Sequence, residues 1–344
     1  MRMIRRGTVL VLAMLLLAAP ARAASGTTFV DVPRSSWAYE NVRRAAEYGL
    51  VGGVGDDAFG LGRQVTRAQY ATMLCRLMGW EMISPARGSF DDNQDKTAWY
   101  YSAVETAYAH GALPKLSARA GVNEPLPREE MATMTVRALG YASLAGVVQD
   151  DCPFTDVTTN RGYIALAYHM GFMGGVDTNL FSPKTASTRE QAATVLLRAY
   201  DRLHADVAQA SASAMPSGAA AVWAEPLTGA QAPIPMNPRA PLENVYDACV
   251  KAGVSGAVAL HTAPCAVTLR NGTVSGGREL TQAELSALLS DDATRTYRSA
   301  RYGSSYLVHT EPNGSTVVWY ETAEDVAAKL TLCRLMGVKT VYVE

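Results

Sequence analysis

The chain of 344 residues lacks the features that define several large classes of protein. Its formal net charge is −1 and charged residues make up 18%, so no basic field indicates a nucleic-acid partner and no acidic tail indicates disorder. Its five cysteines are widely scattered, without the paired spacing of a disulfide framework or a zinc site. No nucleophile elbow, P-loop or dinucleotide-binding fingerprint occurs. The sequence therefore predicts no metal and no other cofactor.

The longest apolar run lies at the N-terminus. Three arginines precede the run Val9–Ala19, and residues 21–23 provide the small residues of an A-x-A cleavage site. This pattern predicts a secretory signal peptide over residues 1–23. The alternative is an uncleaved membrane anchor, although the run is well short of the ~20 residues that a membrane span needs. We expect the mature protein to be exported.

Three arginines, Arg67, Arg128 and Arg189, stand 61 residues apart. Each opens an amphipathic helical pattern, and a repeat of this kind decides the architecture before any single motif does. A cation in the first helical turn lies at the unfavourable end of the macrodipole, at a cost of roughly 0.3 kcal/mol. Because the chain accepts this cost in every copy, we expect the arginines to face an anion. The alternative is that they form ordinary salt bridges between helices.

Each copy also contains an earlier helical pattern. Trp37 and Trp99 precede it in the first two copies, where an aromatic face suits stacking on a sugar ring; the alternative is a place in the core. Thr66 and Thr188 are predicted N-caps of the second helix, each followed three residues later by Gln as in a capping box. The N–H groups of a first helical turn, next to a guanidinium, suit a carboxylate. No unit of this size has a large core of its own, so we expect the copies to pack together.

These features resemble the S-layer homology family. The resemblance is carried by Phe-x-Asp-Val openings, by Trp37-Ala38-Tyr39, and by Thr66-Arg67-Ala68-Gln69, which matches the family's Thr-Arg-Ala-Glu signature. It covers three copies, at residues 27–83, 86–147 and 151–204.

The resemblance implies an all-α three-repeat bundle on a bacterial cell wall or S-layer. Its grooves are expected to bind secondary cell-wall polysaccharide, with the signature arginine on an acidic, pyruvate-ketal-bearing sugar. No nucleic-acid partner is implied, and no membrane contact after signal cleavage. The polysaccharide-binding residues implied by the resemblance are Arg67, Arg128, Arg189, Trp37, Trp99, Thr66 and Thr188.

The copies are not equivalent. In the second, Pro127 replaces the capping Thr, Ala120 replaces the aromatic Phe59, and the loop 114–119 has lost its glycines. In the third, Thr159 stands where the other copies have Trp. These departures place at least one groove in doubt. Because the first copy is the best preserved, the sequence ranks Arg67 as the strongest contact.

The rest of the chain changes character after residue 204. Residues 205–240 are rich in Pro and Ala and predict an extended spacer. Residues 241–344 mix helical and strand patterns, which predicts a small α/β or α+β domain. Helices are expected at Leu242–Ala252, Thr281–Leu289 and Ala323–Met336, and strands at Gly256–His261, Ala266–Arg270, Ser304–Thr310, Thr316–Tyr320 and Val338–Val343.

The last stretch of this domain resembles the C-terminal end of family-18 glycoside hydrolase barrels, especially the spore-germination type. The resemblance is carried over residues 290–344 by Tyr306-Leu307-Val308-His309-Thr310, Val318-Trp319-Tyr320-Glu321 and Lys329. Two departures count against activity. The family's Asp-x-x-Asp-x-Asp-x-Glu motif is missing, and a complete (β/α)₈ barrel needs roughly 200 residues or more. We therefore expect a displayed domain without catalysis.

The leading interpretation is thus an exported protein held non-covalently on the cell wall. Two alternatives stay open: a cell-wall or spore glycosidase with the same anchor, and a structural S-layer subunit.

Overall fold

The computed structural model describes residues 28–115, 117–215, 221–225, 241–300 and 302–344. A helical N-terminal region is followed by a sheet-rich C-terminal region, so the prediction of a multidomain chain is confirmed at that level. The predicted signal peptide lies outside the described residues. Among the described residues, no helix is both long and apolar enough to cross a membrane.

The N-terminal region consists of short helices. Each predicted copy contributes one helix before its glycine-rich or equivalent loop and one helix that begins at its signature arginine. The helices are α1 (Tyr39–Glu47), α2 (Arg67–Met78), α3 (Tyr101–Ala109), α4 (Arg128–Ala138), α5 (Ala142–Val147), α6 (Arg161–His169) and α7 (Arg189–Leu203).

A ring of backbone hydrogen bonds joins the copies at the starts of their second helices. Val65 N–H donates to Ser187 C=O at 2.9 Å, Ser187 N–H to Leu126 C=O at 2.8 Å, and Leu126 N–H to Val65 C=O at 2.9 Å. These three residues stand 61 apart in sequence and are buried. Buried backbone groups need partners of this kind, so each copy completes the next.

The helices of different copies interlock. The first helix of each copy packs against the second helix of another: α1 on α7, α3 on α2, and α6 on α4. The buried faces supply one continuous core, to which Phe59 and Phe181 contribute fully buried rings. Because of this packing, the residues that precede the first helix of one copy lie on the surface of a neighbouring copy.

The C-terminal region contains two sheets. A parallel sheet has the strand order β1-β9-β3-β2, and an antiparallel sheet has the order β5-β4-β8-β7-β6. The elements are β1 (Ala208–Ser211), β2 (Ala221–Trp223), α8 (Leu242–Ala252), β3 (Ala257–Leu260), β4 (Cys265–Arg270), β5 (Thr273–Glu279), α9 (Gln282–Leu289), β6 (Thr294–Ser299), β7 (Ser304–Glu311), β8 (Gly314–Tyr320), α10 (Ala323–Leu335) and β9 (Thr340–Val343).

The segment predicted as a spacer, residues 205–240, contributes strands to the parallel sheet. Strand β1 pairs with β9, and β2 pairs with β3. Both strands are very short, with four residues in β1 and three in β2, so neither is long enough to show an alternating pattern. Residues 216–220 and 226–240 of the predicted spacer lie outside the described residues.

The two regions share an apolar junction. Helix α10 packs on α7, and α8 packs on α5. Tyr141 at the start of α5 donates its hydroxyl to Ala328 C=O at 3.3 Å. The sequence predicted few contacts across this boundary, whereas the structure has a hydrophobic core that includes residues of both regions. The domain boundaries themselves stay a prediction.

Candidate functional site: three grooves between the copies

Three grooves on the N-terminal region each take residues from all three copies. We name them after the copy that supplies the loop and second helix. The first groove holds Arg189 of the third copy and Trp99 of the second. The third groove holds Arg128 of the second copy and Trp37 of the first. The middle groove holds Arg67 of the first copy and Thr159 of the third. Their volumes are about 340, 270 and 610 Å³ respectively.

Arg189 lies deep in the first groove. Its Nε donates to Phe59 C=O and its Nη2 to Gly52 C=O, both at 2.9 Å. The guanidinium lies over the ring of Phe59, with Cζ 5.0 Å from the ring centroid. Gly60 has a φ of +88°, and a Cβ there would lie 3.2 Å from Arg189 Nε, so glycine leaves room for the arginine.

Arg128 is held in the same way in the third groove. Its Nε donates to Phe181 C=O at 2.9 Å and its Nη2 to Gly174 C=O at 2.7 Å. Its Cζ lies 4.6 Å from the centroid of the Phe181 ring. The two arginines therefore have equivalent partners in two separate grooves.

Neither guanidinium has a carboxylate partner among the described residues: no Asp or Glu oxygen lies within 4.0 Å of Arg128 or Arg189. Burial lowers the pKa of both side chains, and the nearby charge of Arg63 lowers that of Arg189 further. Arg189 is only 4% exposed. The charge of Asp156 near Arg128, and those of Asp31 and Glu190 near Arg189, raise these pKa values and offset the effect of burial only in part.

Each of these grooves contains a second arginine and an exposed indole. Arg76 lines the first groove beside Arg189, and Arg198 lines the third beside Arg128. Trp99 and Trp37 are each 65% exposed, so the proposal that they belong to the core does not hold. Arg76 and Arg198 were not among the predicted site residues, although their 61-residue spacing through Arg137 was a readable signal.

A half-buried carboxylate anchors each loop. Asp31 accepts the N–H groups of Phe59 and Gly60 at 2.7 Å and that of Leu61 at 3.0 Å. Although burial raises the pKa of Asp31, these backbone donors outweigh it and hold the pKa below its ordinary value. Asp92 and Asp156 do the same for the loops of the second and third copies.

Arg67 in the middle groove has different partners. Its Nη2 donates to Glu130 at 2.7 Å, its Nε to the other oxygen of Glu130, and its Nη1 to Glu124 at 2.8 Å. These carboxylates raise the pKa of Arg67, and the hydrogen bonding of Arg67 to Glu130 contributes most. At the place of Phe59 and Phe181 stands Ala120, so no ring lies under this guanidinium.

The charges of the groove linings differ accordingly. The cations of the middle groove, Arg67, Arg119 and Lys184, are balanced by the carboxylates of Glu124, Glu129 and Glu130. The described linings of the other two grooves contain two arginines each and no carboxylate. The middle groove is therefore neutral, and the other two are positive.

The sequence expectation about helix N-termini needs a correction. The backbone N–H of Arg67 donates to Glu124 C=O at 3.2 Å, that of Arg128 to Thr185 C=O and that of Arg189 to Arg63 C=O, both at 2.9 Å. A neighbouring loop therefore already occupies these donors, and they do not face a ligand. The guanidinium side chains alone remain directed into the grooves.

The predicted site residues are also distributed among the grooves in a different way from that expected from the sequence. The structure places Arg67 and Trp37, which the sequence grouped in the best-preserved copy, in separate grooves. Thr66 and Thr188 begin their helices, where Thr66 Oγ1 accepts from Gln69 N–H at 3.3 Å and Gln191 accepts from Thr188 N–H at 3.1 Å. Neither threonine lines a groove.

Glu321, a carboxylate in the segment that resembles family 18, is enclosed. Its Oε1 contacts Lys329 Nζ and accepts from Ser304 Oγ at 2.7 Å, and its side chain is 1% exposed. Burial raises its pKa despite the nearby Lys329. A group enclosed in this way cannot reach a polysaccharide without opening of the fold.

Comparison with known proteins supports the assignment of the first and third copies. The S-layer homology domain matches residues 28–71 and 153–193. An endoglucanase of Bacillus sp. (strain KSM-635) is 30% identical over 49% of this chain and 18% of its own length. The S-layer protein sap of Bacillus anthracis is 30% identical over 34% of this chain and 14% of its own. The chain thus spans less than a fifth of the length of these relatives.

One solved structure shares a limited likeness with this chain. It is a candidate sporulation-specific glycosylase, ydhD from Bacillus subtilis, which aligns with 30% of this chain and 36% of its own at 13% identity and a TM-score of 0.26. No conclusion about the C-terminal region rests on that alignment. The predicted resemblance to family 18 stays a prediction.

The predicted S-layer homology resemblance is therefore confirmed at residues 28–71 and 153–193, and so is the predicted location at the cell surface, which rests on these domains and on the surface-layer relatives.

Proposed function

We propose that the S-layer homology domains of this chain hold the protein on the cell wall by binding an acidic polysaccharide in the first and third grooves. S-layer homology domains generally bind cell-wall polysaccharides. The observation that carries the proposal is the pair of guanidinium groups, of buried Arg189 and half-buried Arg128, without a hydrogen-bonded carboxylate partner among the described residues.

The arrangement of donors supports a carboxylate ligand. Each guanidinium uses Nε and Nη2 on backbone carbonyls, which leaves its Nη1 side for a ligand. A carboxylate there would form charge-assisted hydrogen bonds of the strong kind. The second arginine of each groove adds positive charge at the rim, and the exposed indole offers a face for a sugar ring. A sugar that bears a pyruvate ketal offers both a carboxylate for the guanidinium and a ring face for the indole.

The second copy completes the grooves in this proposal. We regard residues 86–147 as a third S-layer homology unit, so that the N-terminal region is a three-repeat bundle. The ring of hydrogen bonds through Leu126 and the placement of Trp99 in the first groove support this reading. The C-terminal domain would then be displayed from the wall without catalysis, which the enclosure of Glu321 supports.

The experiment is a sedimentation assay of the mature chain with purified cell walls. Walls from which the pyruvate ketal has been removed serve as the comparison. The double variant Arg128→Met/Arg189→Met should lose binding by about 100-fold or more, as expected for two charge-assisted contacts of roughly 1.5–3 kcal/mol each. Arg43→Met removes an exposed arginine of α1 and is the matched control, with no expected change.

Two outcomes would contradict the proposal. Equal binding to ketal-free walls would exclude the acidic sugar as the ligand. Unchanged binding of the double variant, with its helical circular dichroism intact, would exclude the two arginines as its contacts.

A further inference from the structure

We propose that the middle groove does not bind the acidic polysaccharide, because the carboxylates of Glu124 and Glu130 already pair with the guanidinium of Arg67. Each molecule then has two glycan sites and not three. This inference rests on the proposed function of the other two grooves. It reverses the ranking expected from the sequence, which placed Arg67 first.

The first observation is that Glu130 does not take part in a capping box. Glu130 occupies the place of Gln69 and Gln191, whose side chains accept the N–H of the capping threonine. In the second copy the residue before the arginine is Pro127, which has no N–H to donate. The carboxylate of Glu130 is therefore available, and both of its oxygens bind Arg67.

The second observation is the charge at one loop position. Glu124 stands 61 residues after Arg63 and 61 before Thr185, so the three groove loops present a carboxylate, a guanidinium and a hydroxyl at equivalent places. Only the carboxylate pairs with a signature arginine, at 2.8 Å from Arg67 Nη1. Together the two glutamates satisfy the Nε, Nη1 and Nη2 groups of Arg67.

The third observation is that the middle groove lacks the groups that hold the guanidinium in place in the other two grooves. In the first and third grooves the arginine lies on a phenylalanine ring and donates to two backbone carbonyls. Ala120 offers no ring, and all the hydrogen bonds of the Arg67 side chain go to carboxylates. Thr159 replaces the indole that would cover a sugar. An incoming anion would have to displace two negative charges without these compensating contacts.

The test is the stoichiometry of binding, measured by isothermal titration with the methyl glycoside of a pyruvate-ketal-bearing monosaccharide. The unmodified chain should bind two molecules. Glu124→Thr/Glu130→Gln installs the residues that stand at these places in the third copy, and it should bind three. The new site should be about tenfold weaker than the others, because it lacks the aromatic contacts.

Further variants assign the new site. Adding Arg67→Met to the Glu124→Thr/Glu130→Gln variant should return the stoichiometry to two. The reverse change, Thr185→Glu, places a carboxylate beside Arg128 and should reduce the stoichiometry of the otherwise unmodified chain from two to one.

The outcomes separate this inference from the proposed function. An unmodified chain that binds no monosaccharide contradicts the proposed function itself. An unmodified chain that binds three overturns only the inference. The same holds if the glutamate variant has the melting temperature and circular dichroism of a folded protein but still binds two.

Discussion

The first and middle grooves are built from the same parts of the repeat, yet their arginines are in opposite electrostatic states. Arg189 is buried among carbonyl oxygens and an aromatic ring, and burial lowers its pKa. Arg67 is paired with two glutamates, which raise its pKa. The difference arises from a few substitutions in one copy, above all Pro127 and Glu124. A signature residue therefore marks a position in the fold, and its neighbours from other copies determine whether that position is available to a ligand.

The largest expected difference is in the stability of the ligand-free protein after substitution of Arg67 or Arg189. Arg67→Met should lower the free energy of unfolding by roughly 1–2 kcal/mol, because it leaves the partly buried carboxylate of Glu130 without its partner. Arg189→Met should change it by less than about 1 kcal/mol, since the lost hydrogen bonds are offset by the removal of a buried cation whose charge is only partly compensated. Urea unfolding of both variants gives the comparison. An equal cost for both would show that Arg189 is as well compensated as Arg67.

The indoles should produce a smaller difference, and in binding rather than stability. Trp99→Ala or Trp37→Ala should weaken glycan binding at its groove by about 5- to 12-fold, as stacking contacts of roughly 1–1.5 kcal/mol predict. Because both side chains are 65% exposed, the free energy of unfolding should move by no more than about 0.5 kcal/mol. Thr159→Ala is the matched control and should leave binding unchanged. Loss of stability without loss of affinity would assign the indoles a structural role.

The loop-anchoring aspartates should give the smallest difference, visible only in acid. Their pKa in the folded protein lies below the ordinary value of 3.8, so their contribution is fully present above that value and is lost as the pH falls through the folded pKa. Unfolding free energy should therefore decline below about pH 4 and stay flat between pH 5 and 8 on this account.

Single variants distinguish the grooves in that experiment. Asp31→Asn and Asp156→Asn should flatten the acid decline and weaken glycan binding several-fold, because they loosen the loops that supply carbonyls to Arg189 and Arg128. Asp92→Asn should flatten the decline without affecting binding, since its loop forms the middle groove. A binding loss for Asp92→Asn equal to that of the other two would show that all three grooves are in use.

In the C-terminal region, local sequence patterns predicted some helices and strands and missed others. The predicted helix Leu242–Ala252 matches α8, and Asn271-Gly272, a pair typical of two-residue hairpin turns, lies between the paired strands β4 and β5. Strand β6 (Thr294–Ser299) was missed because its residues are mostly polar and exposed, and a strand of this kind carries no hydrophobic alternation. Strands β1 and β2 were missed because they are only four and three residues long and pair with strands that are distant in sequence.

The sequence by itself determined the period of the repeat, the helices that begin at each arginine, and the resemblance to a wall-binding family, because these depend on local spacing and capping. It also showed that the copies differ. Only the tertiary structure decided which residues share a groove, since interlocking helices bring Trp99 to Arg189 and leave Thr159 with Arg67. It also decided the state of each arginine, because a charge is compensated by the groups that lie near it in space, and Glu124 is 57 residues from Arg67 along the chain.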